Sequence, residues 1–368
     1  MLQRLYVNNY RCLENFELSL KGLPSSLLVG ENGVGKSTIA KVLDILQCIG
    51  RGINRVGKLI EPKDFAHGRS EVPIRIEIEV VLGGRIFQYV LAFELPDGFR
   101  ELRILEENLL MAGSPVYTRQ QAQVTLLTES RQAQFLVDWH LVALPVIQEQ
   151  SKTDPLFIFK TWLAQQLIIL APIPSTMTGH SSGETLEPQK NGANFSEWFS
   201  GLLSRFPAAY AECDRYLRTV MPDIQDFLNE PIGKDARNMV VRFQANDTTL
   251  SVDFENLSDG EKCFFLCAVV LAANQYCGPF FCFWDEPDNY LSLSEVGHFV
   301  TSLRRSFKQS GQLVTTSHNE EAIRQFSNEN TFILCRKSHL EPTLIRLLRD
   351  TPLKDDIVGK LIRGSAKL

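Results

Sequence analysis

Gly30-Glu31-Asn32-Gly33-Val34-Gly35-Lys36-Ser37-Thr38 is the stretch that decides the fold of this 368-residue chain. It has the pattern Gly-x-x-x-x-Gly-Lys-Ser, with an apolar run at 27–29 before it and an amphipathic segment at 39–46 after it. This strand, glycine-rich turn and helix context is typical of a phosphate-binding loop, because glycines let backbone N–H groups turn towards a polyphosphate. The helix that follows presents its positive N-terminal end to the same anion. We therefore expect the chain to bind a nucleoside triphosphate.

Two residues of this loop have predicted roles beyond its backbone. Lys36 would reach the β- and γ-phosphates, and the hydroxyl of Ser37 would bind Mg²⁺. The remaining residues that we assign to nucleotide binding are Gly30, Asn32, Gly33, Gly35 and Thr38. The predicted cofactors are therefore a nucleoside triphosphate, which the family resemblance described below implies to be ATP, and Mg²⁺.

The composition describes an ordinary globular protein, with 44% hydrophobic and 22% charged residues. The net charge of −5 supplies no overall positive field, so contact with nucleic acid would require a local basic patch. The eight cysteines form no C-x-x-C pair, which argues against a zinc site or a disulfide framework. The N-terminus lacks the apolar core of a signal peptide, and the longest apolar run, at 263–273, is too short to span a bilayer. We expect no membrane segment and a cytoplasmic location.

Alternation of apolar and polar residues predicts an antiparallel layer in the N-terminal third. Gly83-Gly84 separates two alternating runs, which is typical of a β-hairpin. The predicted strands lie at 2–7, 16–20, 71–82, 86–95 and near 102–105.

The segment from about 120 to 235 has longer helical patterns and a polar linker at 175–194, which predicts an inserted helical subdomain. The predicted helices lie at 131–144, 155–170, 195–203 and 208–221. Runs interpreted as parallel-sheet strands return at 239–243, 249–254, 280–284, 312–316 and 331–335. We therefore divide the chain into an N-terminal lobe (1–119), a helical insertion or lid (120–236) and a C-terminal lobe (237–368).

Asp285 and Glu286 end the apolar run at 280–284. Such a run suits a buried central strand, whose carboxyl end lies at the edge where α/β proteins bind ligands. Asp285 would hold Mg²⁺, and Glu286 would orient and deprotonate the attacking water. A turn started by Asp-Glu-Pro is the alternative, which the phosphate loop upstream makes the weaker interpretation.

Two further segments have both a functional and a purely structural interpretation. Ser258 and Glu261 have capping-box spacing before an apolar helix, yet a serine and a glycine at a helix N-terminus also suit phosphate binding. His318 follows the apolar strand predicted at 312–316, where it would contact the γ-phosphate or serve as a structural strand-end residue.

The phosphate loop, Leu-Ser-Asp-Gly-Glu, the strand with Asp-Glu and the strand-end histidine occur in the order of ABC-type ATPase heads. The chain resembles the RecF, SMC and OLD-like branch over about 1–110 and 237–335. Asp259 and Glu261 depart from the transporter signature but are common in the DNA-associated branch. Residues 8–13 resemble the opening segment of that branch, in which an arginine lies near the nucleotide, and Arg11 is the matching residue.

The resemblance implies an α/β P-loop NTPase fold, with an ABC-ATPase-type core, an antiparallel β layer and an inserted helical subdomain. In this family the signature of one head covers the nucleotide of the other, so Ser258 and Gly260 would contact the γ-phosphate held by Lys36 of the partner subunit. This implies an ATP-dependent, head-to-tail homodimer or a higher oligomer. Such an ATPase would be a slow, conformationally gated switch.

Three functions follow from these residues. The favoured one is an ATPase in DNA-linked repair or phage defence, which clamps nucleic acid or controls a separately encoded effector such as a nuclease or toxin. Basic residues at 51–75 are a candidate phosphate-contacting surface, with a solvated mixed-charge loop as the alternative.

The second function is a transporter-type ATPase subunit, against which Arg11, Asp259 and the long insertion argue. The third is an ATP-dependent scaffold with little turnover, against which Lys36 and the acidic pair 285–286 argue. We expect no OLD-type nuclease domain after the head, because strands and a tail helix would occupy the residues that follow His318.

Overall fold

The computed structural model describes residues 1–127, 132–327 and 329–350. The chain forms two compact units. The first contains 1–23, 28–167 and the described residues from 329 onward, and the second contains 24–27 and 168–327.

Helices and strands alternate irregularly along the described residues. The helices are α1 Lys36–Gly50, α2 Pro155–Thr161, α3 Phe195–Arg205, α4 Ala209–Val220, α5 Asp259–Tyr276, α6 Leu293–Gln309 and α7 Glu320–Arg324. The strands are β1 Leu2–Asn8, β2 Phe16–Ser19, β3 Ser25–Val29, β4 Ile74–Leu82, β5 Arg85–Glu94, β6 Arg103–Met111, β7 Ser114–Gln120, β8 Gln123–Leu127, β9 Gln132–Leu136, β10 Leu167–Leu170, β11 His180–Ser181, β12 Ile224–Ile232, β13 Ala236–Ala245, β14 Thr248–Asp253, β15 Phe281–Trp284, β16 Gln312–Thr316, β17 Thr331–Cys335 and β18 Leu344–Leu347.

The first unit contains the predicted antiparallel layer, a sheet with the strand order β2-β1-β4-β5-β6-β7-β8-β9. Along β4, residues alternate between buried and half-buried, as the sequence pattern predicts for a sheet with one face in the core. The β4–β5 hairpin turns at Gly83 and Gly84, both of which have positive φ. The hairpin prediction is therefore confirmed.

A charged pair lies fully buried in this sheet, where Glu107 of β6 meets Arg119 of β7 at 3.3 Å. The carboxylate of Glu107 also accepts hydrogen bonds from two tyrosine hydroxyls and two backbone amides: Tyr89, Tyr117, Ala143 and Leu144. Burial, together with the charge of Glu107, raises the pKa of both tyrosines well above the usual value. These bonds attach residues 138–144 to the sheet, because Arg119 also donates to the carbonyl oxygens of Asp138 and Leu141.

In the second unit, β15 and β16 pair in parallel, with Phe281 opposite Gln312 and Trp284 opposite Thr315. Every residue of both strands is buried, which explains their unbroken apolar runs. Helix α5 is also buried along most of its length, as expected of a central helix.

An antiparallel sheet in the same unit has the order β11-β13-β12, and β14 also pairs with β13. Aromatic side chains form the core against it. Phe254 stacks on Phe195 with ring centroids 4.7 Å apart, and Phe265 meets Phe254 edge-on at 5.7 Å. Such contacts give these rings defined relative orientations.

Three sequence predictions need correction. The helix predicted at 131–144 is wrong, because Gln132–Leu136 is strand β9, paired with β8; residue 131 lies outside the described residues. The helix predicted at 155–170 ends early: α2 passes into a π-helical turn, Trp162–Gln166, and then into β10. The runs at 239–243 and 249–254 form antiparallel strands, β13 and β14, rather than parallel ones.

Tertiary pairing, which local periodicity does not show, overrode the helical pattern at 132–136 and 167–170 and set the antiparallel direction of β13 and β14. The three-part division at 119/120 and 236/237 stays a prediction. The tail helix predicted near the C-terminus lies outside the described residues.

Candidate functional site

The phosphate loop of the first unit depends on two glycines. A Cβ atom at Gly30 would lie 2.3 Å from the carbonyl oxygen of Leu334, which no side chain tolerates. Gly35 has φ +105°, and a Cβ atom there would lie 2.9 Å from Sγ of Cys12 and 3.0 Å from Oγ1 of Thr343. Both positions therefore require glycine for the loop to keep this path.

Lys36 is the first residue of α1, directly after the loop. Its side chain is buried, and Nζ donates to the carbonyl oxygens of Gly30 at 2.7 Å and Glu31 at 3.1 Å. Ser37 is exposed. Among the described residues no side chain caps this helix, so its N-terminal amides suit an anion.

Arg11, in the first unit, contacts an aspartate of the same unit. Its guanidinium donates to Oδ1 of the buried Asp64 at 2.9 Å, and its backbone amide donates to the Asp64 carbonyl at 2.7 Å. The next residue, Cys12, donates through Sγ to Oγ1 of Thr38 at 3.6 Å. Arg11 is thus one residue from a contact to the phosphate-loop helix, and its nucleotide role stays a prediction.

The two predicted acids of the second unit follow β15, and one hydroxyl connects them. Oγ1 of Thr316 accepts a hydrogen bond from the amide of Glu286 at 2.9 Å and donates to Oδ1 of Asp285 at 2.6 Å. The amide of Asp285 donates to the carbonyl oxygen of Leu170, at the end of β10. Thr316 is fully buried, and no sequence motif points to it.

Glu286 has a left-handed backbone conformation, with φ +48°, which is uncommon for a residue with a side chain. Its Oε2 accepts a hydrogen bond from Nδ2 of Asn289 at 2.5 Å. Nε2 of His318 lies 3.6 Å from its Oε1. The structure thus brings together Glu286 and His318, two residues that the sequence predicts to be catalytic, and adds Asn289.

Asp288 is a further carboxyl group beside this cluster and is 5% exposed. Ser317 donates to its Oδ2 at 2.7 Å. Burial raises the pKa of Asp288 above its usual value, and the charge of Glu286 acts in the same direction. The ionised form of Asp288 is therefore less favourable than that of an exposed aspartate, because its carboxylate is desolvated. This group lies near Glu286, the predicted general base.

Ser258 caps α5, as the capping-box interpretation predicts. Its hydroxyl accepts from the amide of Glu261 at 3.3 Å, and its own amide donates to Oε2 of Glu261 at 2.7 Å. Gly260 faces the carbonyl oxygen of Tyr290, which would lie 2.9 Å from a Cβ atom. Ser258 remains exposed, so capping and a ligand contact are compatible.

The candidate basic surface at 51–75 is neutralised at several points. Ion pairs join four of its basic side chains to carboxylates of the same unit: Arg55 to Glu101, Lys63 to Glu61, Arg69 to Glu14, and Arg75 to Glu77 and Glu106. This arrangement favours the alternative interpretation, a solvated mixed-charge surface.

All eight cysteines are free thiols. Within the described ranges, no group of three or more His, Cys, Asp or Glu side chains forms a metal cluster. The described helices include none with the length and apolarity that a membrane crossing requires.

A family model and a curated relative each match a part of the chain. The AAA ATPase domain family matches residues 1–79, which include the phosphate loop. An OLD nuclease of Thermus scotoductus is 48% identical over 46 residues. That match covers 12% of this chain and 8% of the nuclease, so the chain aligns with only a small part of that relative.

Solved structures match nearly the whole chain. An SMC head bound to the C-winged helix domain of ScpA has a TM-score of 0.56 at 13% identity, covering 95% of this chain and 98% of that one. An SMC head with an extended coiled coil, bound to the C-terminal domain of ScpA derived from Pyrococcus furiosus, has a TM-score of 0.54 at 13% identity, covering 95% and 96%. The SMC head domain from Thermotoga maritima has a TM-score of 0.50 at 12% identity, covering 94% and 98%.

At such low identity these likenesses show the fold. The mixed α/β architecture with antiparallel sheets is that of SMC heads, as expected of a P-loop NTPase, which confirms the predicted fold class. The AAA ATPase domain match, the OLD nuclease segment and the SMC-head fold are together consistent with a RecF/SMC/OLD-like ATPase, the branch that the motifs resemble.

Proposed function

We propose that this protein binds and hydrolyses ATP and acts as a nucleotide-gated dimeric switch. The observation that carries the proposal is the phosphate loop, in which the buried Lys36 follows a glycine turn and opens an uncapped helix. This arrangement supplies the amides and the ammonium group that a triphosphate requires.

We assign three catalytic residues, each on the motif that carries it. Lys36 would bind the β- and γ-phosphates, and Glu286 would orient and deprotonate water, with His318 beside it. The hydroxyl of Ser37 and the carboxylate of Asp285 are oxygen donors of the kind that Mg²⁺ prefers, and we assign each as a metal ligand. Bound Mg²⁺ would neutralise charge on the phosphates.

The switch would require a second copy of the chain. Ser258 is exposed at the N-terminus of α5, where its hydroxyl and the amides of the first turn suit an anion. We propose that this terminus contacts the γ-phosphate bound by a second subunit, so that ATP favours a head-to-tail homodimer or a higher oligomer. Hydrolysis would remove the contact and open the dimer.

A separate partner protein is also part of the proposal. Two of the similar SMC heads are bound to domains of ScpA, and one curated relative is a nuclease. We propose that this chain controls a separately encoded effector, or clamps nucleic acid, in DNA-linked defence or repair. We also propose a cytoplasmic location.

The test measures ATP binding and ATP hydrolysis by the full chain with Mg²⁺ and compares wild type, Lys36→Ala and Glu286→Gln. We expect Lys36→Ala to lose ATP binding. We expect Glu286→Gln to keep binding and to lose turnover by about 10² to 10⁴-fold, the usual contribution of a general base. Wild-type turnover in Glu286→Gln would contradict the base assignment. ATP binding without turnover in the wild type would instead favour an ATP-dependent scaffold.

A further inference from the structure

The β17–β18 loop (residues 336–343) lies along the phosphate loop within the first unit. Just before this loop, in β17, the carbonyl oxygen of Leu334 lies so near Gly30 that a Cβ atom there would be 2.3 Å away. At the end of the loop, Oγ1 of Thr343 donates to the carbonyl oxygen of Val34 at 2.8 Å. The β17–β18 segment therefore lies close to the phosphate loop on both sides of the loop tip and is hydrogen-bonded to it at Thr343.

The tip of the β17–β18 loop carries an imidazole next to the phosphate loop. Nε2 of His339 lies 3.9 Å from the position that a Cβ atom at Gly33 would take. The side chain of His339 is exposed, and among the described residues its ring has no hydrogen-bond partner. Neither the sequence motifs nor the proposed catalytic groups account for this residue.

The backbone that carries the imidazole is held in place by an arginine of the same loop. The guanidinium of Arg336 donates to the carbonyl oxygen of His339 at 2.5 Å and to that of Glu341 at 2.6 Å. The amide of Leu340 donates to Oγ of Ser338 at 3.2 Å. Because the backbone of this turn is already held by these bonds, the turn itself needs little ordering when the ring binds a ligand.

The position of the ring indicates its ligand. Amides of a phosphate loop point at the polyphosphate, and a donor this close to Gly33 lies near the group that those amides would bind. An imidazole has an N–H donor in either tautomer, and hydrogen bonds to anionic oxygens are stronger than neutral ones. We propose that His339 is a further nucleotide-binding residue, which donates a hydrogen bond to the polyphosphate of the bound nucleotide. The inference rests on the proposed function, because it assumes that the phosphate loop binds ATP.

The test measures the Kd of Mg²⁺–ATP and Mg²⁺–ADP for full-length variants by titration calorimetry. We expect His339→Leu, which keeps bulk but has no donor, to weaken both nucleotides about tenfold. His339→Gln, which keeps an N–H donor, should stay within about threefold of wild type. Thermal unfolding midpoints of both variants should match the wild type, because the ring is exposed.

Two controls separate a direct contact from a disturbed loop. Leu340, in the same loop, is 82% exposed, so Leu340→Ala should bind both nucleotides like the wild type. An equal loss in Leu340→Ala and His339→Leu would overturn the contact. Wild-type affinity in His339→Leu, alongside lost binding in Lys36→Ala, would overturn the inference and leave the proposed function intact. If the wild type binds neither nucleotide, both fail.

Discussion

At the scale of the residue, one buried hydroxyl contacts both acidic positions of the second unit. Thr316 accepts from the amide of Glu286 and donates to the carboxylate of Asp285, so it restrains the backbone of one and the side chain of the other. A group that orients a metal-binding carboxylate in this way usually affects metal affinity and activity nearly as much as the ligand itself does. We therefore assign Thr316 as a positioning residue for the proposed ATPase.

Thr316→Val should lower ATP turnover by about 10- to 100-fold, because the carboxylate of Asp285 loses its donor while the side-chain volume stays nearly the same. The Mg²⁺ concentration for half-maximal turnover should rise, a change that a merely structural role would not produce. The measurement is the steady-state rate of phosphate release as a function of Mg²⁺.

Thr316→Ser is the matched control, because it keeps the hydroxyl and removes only a methyl group. Its turnover should remain within about threefold of wild type, since the lost methyl affects packing alone. Turnover and Mg²⁺ dependence in Thr316→Val equal to those of the wild type would show that the hydroxyl does not position Asp285.

The residues of the site differ in how far the sequence could predict them. The phosphate loop was predictable because its chemistry depends on local spacing, from Gly30 to Ser37. Thr316 was not, because it lies on a buried strand and meets Asp285 only through the pairing of β15 with β16. His339 likewise reaches the phosphate loop through tertiary contacts that no local pattern shows.

At the scale of the element, a buried carboxylate joins β6 and β7 to residues 138–144. Glu107 accepts from two tyrosines, two amides and the guanidinium of Arg119, so its desolvation is offset by a complete set of donors. A fully satisfied network of this kind is stable, but the loss of one partner leaves the other charge buried alone.

Glu107→Ala should destabilise the first unit by about 3–5 kcal/mol, because it leaves the guanidinium of Arg119 buried without its carboxylate. The measurement is urea unfolding followed by a signal from the first unit. Glu106→Ala is the control: it removes an ion pair to the half-exposed Arg75 and should cost about 1 kcal/mol or less. Equal losses in the two variants would contradict the importance of the buried network.

Local periodicity predicts some of these elements and not others. The hairpin β4–β5 was predictable because strict alternation and Gly83-Gly84 are both local signals. Strand β9 was not, because its side chains are mostly exposed and only its pairing with β8 defines it as a strand. The exposed β14 is antiparallel for the same reason: its partner, and not its own pattern, sets its direction.

At the scale of the whole molecule, the central claim is that ATP drives two copies of this chain together. The order of motifs along the chain resembles that of ABC-type ATPase heads, and the likeness to SMC heads confirms the fold class that this resemblance implies. The dimer depends on a second chain, which neither local patterns nor a single subunit reveals. Its support is the exposed Ser258 at the N-terminus of α5.

The most direct measurement is the molar mass of wild type and Glu286→Gln by size-exclusion chromatography with light scattering, with and without Mg²⁺–ATP. We predict monomers without nucleotide and a stable dimer of Glu286→Gln with ATP, because ATP that is not hydrolysed keeps the composite contact closed. Lys36→Ala, the control, should remain monomeric with ATP. A mass that does not change with ATP in either wild type or Glu286→Gln would contradict the nucleotide-gated dimer.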